Sequence, residues 1–88
     1  MIDLYHNLAH LDLHGYDREY ARIAINDFIQ DNIKMKNYKV IIIHGRGTGI
    51  LKKTTQNTLK SNKYVDNYKI DNFNDGQTVV NLKKGFDK

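Results

Sequence analysis

The pattern of apolar and polar side chains divides the chain into six elements. Leu11 and Leu13 alternate with polar residues, and this period of two predicts a strand with one face inward. A continuous apolar run over 39–43 (KVIII) is typical of a strand covered on both faces. The predicted strands cover residues 9–14, 39–43, 65–70 and 78–82, and a turn over 72–76 precedes the last of them.

Two helices are predicted between these strands. Asp17 is a suitable N-cap for the first, whose apolar residues recur at helical spacing from Ala21 to about Met35. The second runs from Ile50 to about Asn62. The order β-α-β-α-β-β predicts an α/β two-layer sandwich with a mixed, mainly parallel four-stranded sheet. A closing hairpin makes the last strand antiparallel.

The length of 88 residues fits one small domain. We assign this domain to residues 9–84, with residues 1–8 as an N-terminal arm or linker remnant and 85–88 as a tail. The chain contains no cysteine, and no Cys and His spacing would close a zinc site. No apolar run approaches the ~20 residues that span a bilayer, and no secretory signal pattern is present. We therefore expect a cytoplasmic protein.

The net charge of the chain is moderately basic. A formal charge of +4 and a pI near 9.3 favour an anionic partner such as nucleic acid. The same charge also fits a composition that is simply rich in Lys, Asn, Ile and Tyr. Charge alone does not decide between these interpretations.

A glycine-rich turn, HGRGTG, joins the second predicted strand to the second helix. A mononucleotide P-loop requires lysine directly after its last glycine, but Ile50 follows Gly49 here. A dinucleotide-binding turn requires G-x-G-x-x-G, whereas this chain has G-x-G-x-G and too few further βα units, although Asp71 lies at about the expected distance. Both nucleotide interpretations are therefore disfavoured.

A phosphate site for a nucleic acid is the third interpretation of this turn. Glycines let main-chain N–H groups approach an anion, and the helix N-terminus adds partial positive charge. Arg46 can bind two phosphate oxygens at once, and the lysines of the first helical turn make sense beside a polyanion. An ordinary strand-to-helix turn remains the alternative. The predicted nucleic-acid-binding residues are Gly45, Arg46, Gly47, Thr48, Gly49, Lys52 and Lys53.

Two histidines follow the first two predicted strands. His14 and His44 are expected at the same sheet edge if these strands lie side by side, because ligands gather at the C-terminal ends of parallel strands. Asp12 is expected on the same sheet face as His14. Together with the glycine turn, these side chains form a candidate acid–base set.

Three motifs in this chain resemble the Smr (small MutS-related) domain. They are LDLHG at 11–15, IIHGRGTGILKK at 42–53 and GQTVVNL at 76–82, in the family's order. The resemblance extends from about residue 11 to residue 83. It implies a β-α-β-α-β-β fold related to the C-terminal domain of a bacterial translation initiation factor. It also implies nucleic-acid binding, with endonuclease activity in many members, some of them acting on RNA at stalled ribosomes.

The resemblance also implies site residues. Asp12 and His14 match the acidic residue and histidine linked to cleavage, and residues 44–49 match the loop that faces nucleic acid. His14 favours the stand-alone branch, since many domains attached to MutS2 resemble this one but carry arginine there. The third motif departs from the family pattern GGxGxT, because only Gly76 is retained over 73–78.

These observations lead to an endonuclease hypothesis, with RNA, including ribosome-associated RNA, or branched DNA as substrate. One of His14 and His44 would act as base and the other as acid, and Asp12 would orient a histidine or bind a metal. RNA could be cleaved by its own 2′-hydroxyl, whereas DNA would call for Mg²⁺. The alternatives are a non-catalytic binding module of a MutS2-like protein and an adaptor that docks on an ATPase or the ribosome.

Overall fold

The computed structural model describes residue 5 and residues 7–85. The predicted arm over 1–8 and tail over 85–88 fall largely outside the described residues. No helix of the described part is both long and apolar enough to cross a membrane. The elements follow the predicted order and are β1 (Ala9–Asp12), α1 (Arg18–Lys34), β2 (Lys39–Ile43), α2 (Ile50–Ser61), β3 (Val65–Asp71) and β4 (Asn74–Leu82).

The four strands form one mixed sheet in the order β1-β2-β4-β3. β1 and β2 pair in parallel, while β4 is antiparallel to both β2 and β3. Three strands therefore run in the same direction, as predicted. Because β4 inserts between β2 and β3, however, only the β1–β2 ladder of this sheet is parallel. The element order had indicated more parallel strand pairs than the sheet contains.

The core lies between one face of the sheet and both helices. In register, Leu11 on β1 pairs with Ile42 on β2, and Ile42 pairs with Thr78 on β4, which places these three residues on the same face. The buried residues that pack together on this face are Leu13, Ala21, Ile25, Ile29, Ile33, Val40, Ile42, Leu59, Val80 and Leu82.

The predicted N-cap of α1 is confirmed. The carboxylate of Asp17 accepts a hydrogen bond from the backbone N–H of Tyr20 at 2.8 Å, which satisfies a donor that has no partner inside the helix. Ala21, Ile25 and Ile29 recur every four residues and are fully buried. This spacing fixes which side of the helix faces the sheet.

The hairpin between β3 and β4 is tighter than predicted. The predicted turn over 72–76 was too long, because β4 already begins at Asn74. The buried carboxylate of Asp71 explains the difference, since it accepts hydrogen bonds from the N–H of Phe73 at 2.9 Å and from Gln77 Nε2 at 2.8 Å. These bonds close the turn locally and extend the hairpin to the edge that carries the glycine turn.

Candidate nucleic-acid interface

The C-terminal ends of β1 and β2 lie side by side and carry the two glycine-containing turns. The N–H of Leu13 donates to the carbonyl of Ile43 at 2.9 Å, so the strands stay paired up to the point where both turn away. Gly15 and Gly45 then adopt left-handed φ angles of 82° and 78°. Non-glycine residues pay a conformational penalty there, which explains a glycine at each position.

The tip of the β3–β4 hairpin holds the glycine turn in place. The carbonyl of Gly76 accepts hydrogen bonds from the backbone N–H groups of His44 and Gly45, at 2.9 and 2.8 Å. A Cβ at position 76 would lie 3.2 Å from Asn74 Oδ1, which accepts the N–H of Gly76. The one glycine retained from the third motif is therefore explained by the close approach of Asn74, while Gly45 and Arg46 of the second motif lie at ordinary van der Waals distance, 3.5 Å.

The N-terminus of α2 has no side-chain cap at its N-cap residue. Gly49 is the N-cap, with φ 85° and no side-chain cap, and the first turn contains no acidic residue. Thr48 Oγ1 lies 3.3 Å from the N–H of Ile50, and the first bond at the start of the helix runs from Lys53 N to Gly49 O. The N–H groups of Leu51 and Lys52 therefore have no partner within the helix, and they can bind an anion.

The glycine turn is exposed along its whole length. Residues 45–50 are all solvent-exposed. Gly47 is the informative position, since its φ is not left-handed and an added Cβ would meet nothing within 4 Å. Neither backbone conformation nor packing requires glycine there, and the open space suits the approach of a ligand to the main chain.

Arg46 forms an ion pair across the turn. Its Nε lies 2.6 Å from Oδ1 of Asp75 at the start of β4, and the two side chains remain 69% and 66% exposed. The arginine predicted to bind phosphate therefore already has an anionic partner in the protein. Sequence reasoning missed Asp75, because β4 is brought to this turn only by the fold.

Asp12 and His14 form a small exposed unit at the end of β1. Oδ1 of Asp12 accepts the backbone N–H of His14 at 2.9 Å, so the carboxylate contacts the main chain of His14 and not its ring. Both residues are exposed. The predicted proximity of the two residues is present, and the imidazole of His14 is accessible to a substrate.

His44 occupies a different environment. It is 7% exposed, with Nδ1 2.9 Å from the carbonyl of Gly45 and Nε2 2.9 Å from Thr78 Oγ1. A carbonyl can only accept, so Nδ1 carries the proton and the Nε2 of a neutral ring accepts from the hydroxyl of Thr78. Burial is the main effect and lowers the pKa of His44. The hydrogen bond to the carbonyl of Gly45 raises this pKa by less, and the charges of Lys52 and Asp75 have smaller effects, which lower and raise it respectively. His44 is therefore neutral at pH 7.

The structure separates the predicted acid–base set into two parts. His44 reaches Thr78, whose partner Ile42 belongs to the core, and so lies on the helix-covered face of the sheet. Asp12 pairs with Ile43, one residue out of phase, and lies on the opposite face. All three residues are at one edge, but only Asp12 and His14 are exposed there. Among the described residues, no group of three or more His, Asp or Glu side chains could hold a metal ion.

A family comparison identifies this arrangement of motifs. The model of the Smr domain matches residues 11–83. The chain belongs to the Smr domain family. This match covers all three motifs at the edge described above, and it agrees with the extent predicted from the sequence.

Curated relatives of this Smr domain are much longer proteins. It is 37% identical over 76 residues to Endonuclease MutS2 of Clostridium botulinum (strain Eklund 17B / Type B) and 42% identical over 77 residues to Endonuclease MutS2 of Staphylococcus saprophyticus. In both cases the alignment covers 83% of this chain. The chain spans about a tenth of the length of these relatives.

Solved structures share the fold. The Smr domain of Thermus thermophilus MutS2 aligns with a TM-score of 0.83 at 23% identity, over 86% of this chain and 99% of that one. YdaL, a stand-alone small MutS-related protein from Escherichia coli, aligns with a TM-score of 0.81 at 26% identity, over 86% of this chain and 65% of that one. The two-layer β-α-β-α-β-β fold is thus that of Smr domains, both attached and stand-alone.

Proposed function

We propose that this Smr domain binds the phosphodiester backbone of nucleic acid at the glycine turn and cleaves it, with RNA as the favoured substrate. The observation that carries the proposal is the placement of an exposed, uncapped helix N-terminus at the same sheet edge as the exposed pair Asp12 and His14. A phosphate bound at the first site brings neighbouring backbone atoms toward the second. Ribosome-associated RNA belongs to the same substrate class.

Binding in this proposal uses main-chain and cationic groups together. The free N–H groups at the start of α2 donate hydrogen bonds to phosphate oxygens, and Lys52 and Arg46 add charge. Gly47 leaves space for the phosphate to approach the main chain. Such a site loses affinity steeply as salt rises, because phosphate neutralisation releases counterions from the polymer.

Cleavage in this proposal depends on His14 as the proton-transfer residue. Its exposed imidazole can take the proton of the attacking 2′-hydroxyl as that oxygen bonds to phosphorus, while the P–O5′ bond breaks and the leaving 5′-oxygen takes a proton from solvent. Asp12 fixes the main chain of His14 and supplies the nearby negative charge. His44 takes a positioning role, since both its ring nitrogens bind within the protein.

The choice of RNA follows from the chemical groups that are exposed at this edge of the sheet. Attack by the substrate's own 2′-hydroxyl needs proton transfer and phosphate binding, and the exposed residues provide both. DNA cleavage would need an activated water, for which Mg²⁺ could be held by the carboxylate of Asp12 together with substrate phosphates. Chelation of divalent metal therefore separates the two mechanisms.

A cleavage assay on a long single-stranded RNA and on a supercoiled plasmid tests the proposal. Wild type is compared with His14→Ala and Asp12→Asn, each with and without EDTA. Asn can still accept the N–H of His14, so Asp12→Asn removes the charge and preserves the turn. We expect RNA cleavage that survives EDTA and is lost in His14→Ala. Plasmid nicking that requires metal would instead identify DNA as the substrate.

The second candidate is a non-catalytic binding module of a larger MutS2-like protein. It is favoured by the short span of this chain relative to its MutS2 relatives. Absence of cleavage by every variant, with salt-sensitive binding retained, would establish this alternative. Affinity that is weak and insensitive to salt would contradict both candidates and favour a protein-docking adaptor.

A further inference from the structure

Asp75 is the acidic residue in direct contact with the cationic glycine turn. Its carboxylate lies 2.6 Å from Nε of Arg46, and both side chains are largely exposed. The glycine turn and the first turn of α2 themselves contain no acidic residue, and they contribute the cations Arg46, Lys52 and Lys53. A negative charge at this point opposes the binding of any phosphate there.

The backbone on both sides of Asp75 is fixed against the turn. Asn74 Oδ1 accepts the N–H of Gly76 at 3.0 Å, and the carbonyl of Gly76 accepts the N–H groups of His44 and Gly45. A Cβ at position 76 would lie 3.5 Å from Cγ of Arg46, so the two segments are in van der Waals contact. The hairpin therefore holds the backbones of Arg46 and Asp75 close together, and the ion pair forms between their largely exposed side chains.

We propose that Asp75 occupies the phosphate-binding position of Arg46 and sets the affinity of this interface by competing with the substrate. A carboxylate and a phosphate present similar oxygens to a guanidinium, and both bind it through charge-assisted hydrogen bonds. The substrate must therefore displace Asp75 before Arg46 can contribute. This inference rests on the proposed function of the glycine turn as a phosphate site.

The exposure of the pair makes displacement energetically feasible. Exposed ion pairs contribute little to stability, because water and salt screen them, so a polyanion can replace the carboxylate at low cost. Removing the charge of Asp75 frees Arg46 for one additional phosphate contact and removes a repulsion. We expect affinity at low salt to rise by about two- to fivefold, the range that corresponds to a weak exposed pair.

The test is a binding titration across salt concentrations with a 20-nucleotide single-stranded RNA. Asp75→Asn is compared with wild type and with the matched control Asp31→Asn, an exposed carboxylate on α1 that gives the same change in net charge. We expect Asp75→Asn to bind more tightly than Asp31→Asn. The slope of log affinity against log salt should steepen by about 0.7, the value for one added single-strand phosphate contact.

A double variant assigns the effect to Arg46. In an Arg46→Gln background, Asp75→Asn should change RNA affinity no more than Asp31→Asn does, because the guanidinium for which Asp75 and the phosphate compete is absent. Equal affinities of Asp75→Asn and Asp31→Asn in the Arg46-containing protein would overturn the proposal. Weaker binding by Asp75→Asn would also overturn it and would show that Asp75 orients Arg46 for the substrate.

The outcomes distinguish the inference from the function on which it rests. If wild type shows no salt-sensitive binding, the phosphate site itself fails. If wild type binds in a salt-sensitive way and Asp75→Asn and Asp31→Asn bind RNA with equal affinity, only the proposed role of Asp75 is wrong. Thermal unfolding, monitored by circular dichroism, checks that all variants are folded at the assay temperature.

Discussion

Nε2 of His44 lies 2.9 Å from the hydroxyl oxygen of Thr78, and this contact joins the end of β2 to the middle of β4 beneath the glycine turn. Nδ1 of the same ring binds the carbonyl of Gly45 within the turn. The ring therefore connects the buried sheet to the exposed loop. Its protonation state then matters for folding, because a buried neutral imidazole must not become charged.

The protein should become less stable when the pH is lowered past the value at which a free histidine takes up its proton. Burial lowers the pKa of His44 below 6.5, so between that value and the folded-state pKa the unfolded chain binds more protons. The free energy of unfolding therefore decreases as pH falls through this window and is fully restored above it. Urea denaturation from pH 7.5 to pH 5 measures the decrease.

Variants assign this pH dependence to His44. His44→Gln should flatten the difference between pH 7.5 and pH 5, and His14→Gln is the matched substitution at an exposed histidine. A direct measurement in the wild type is available from the NMR titration of the imidazole Cε1–H. Titration of His44 at or above pH 6.5 would contradict the neutral, buried ring.

Removing the hydroxyl of Thr78 should destabilise the fold. Thr78→Val keeps the shape of the side chain and leaves Nε2 of His44 without its donor. Thr78 is fully buried, and an unpaired buried acceptor costs about 1–3 kcal/mol. We expect a loss of this size in the free energy of unfolding from urea titration at pH 7.5. An unchanged value would mean that the contact contributes nothing to stability.

The environment of His44 could be predicted from the sequence, whereas that of Asp75 could not. His44 directly follows the KVIII strand and is in phase with Val40 and Ile42, so strand alternation alone would have placed it on the buried face. The end of β2 at Ile43 was also predicted correctly, because it is a local pattern, whereas β1 ends at Asp12, two residues before the predicted end at His14.

Long-range pairing produced the features that the sequence did not reveal. The insertion of β4 between β2 and β3 brings Gly76 against Gly45 and Asp75 against Arg46. No local periodicity encodes which strands become neighbours. The early start of β4 was missed for a related reason, because the buried side chain of Asp71 accepts the N–H of Phe73 and closes a tight hairpin.

Thr55→Val should stabilise the protein. The Thr55 hydroxyl on α2 is fully buried and is the one buried side-chain polar atom in the described part of the chain without a hydrogen-bond partner. Burying an unpaired hydroxyl costs about 1–3 kcal/mol in proteins, so an isosteric apolar side chain should recover about 1 kcal/mol. The urea midpoint should therefore rise with no change in slope.

Thr58→Val is the matched control for this prediction. It lies on the same helix, but its hydroxyl donates to the carbonyl of Thr54 at 2.8 Å. The same chemical change there should leave stability unchanged or slightly lower. Equal shifts at the two positions would show that the missing partner at Thr55 has no energetic consequence.

Alanine at Gly45 and at Gly47 should separate folding from binding within one turn. Gly45 has a left-handed φ of 78°, so Gly45→Ala should destabilise the fold by about 1–2 kcal/mol. Gly47 has neither a left-handed φ nor a neighbour within 4 Å of an added Cβ. Gly47→Ala should therefore change stability by less than about 0.5 kcal/mol, as surface substitutions usually do.

The informative measurement is RNA affinity for these two variants at a temperature where both are folded. If the main chain at 47 approaches a phosphate, Gly47→Ala should weaken binding while leaving thermal unfolding unchanged. Wild-type affinity in Gly47→Ala would place the phosphate away from this residue, toward the N-terminus of α2. In that case Lys52→Gln should weaken binding instead, because Lys52 lies in the first turn of that helix.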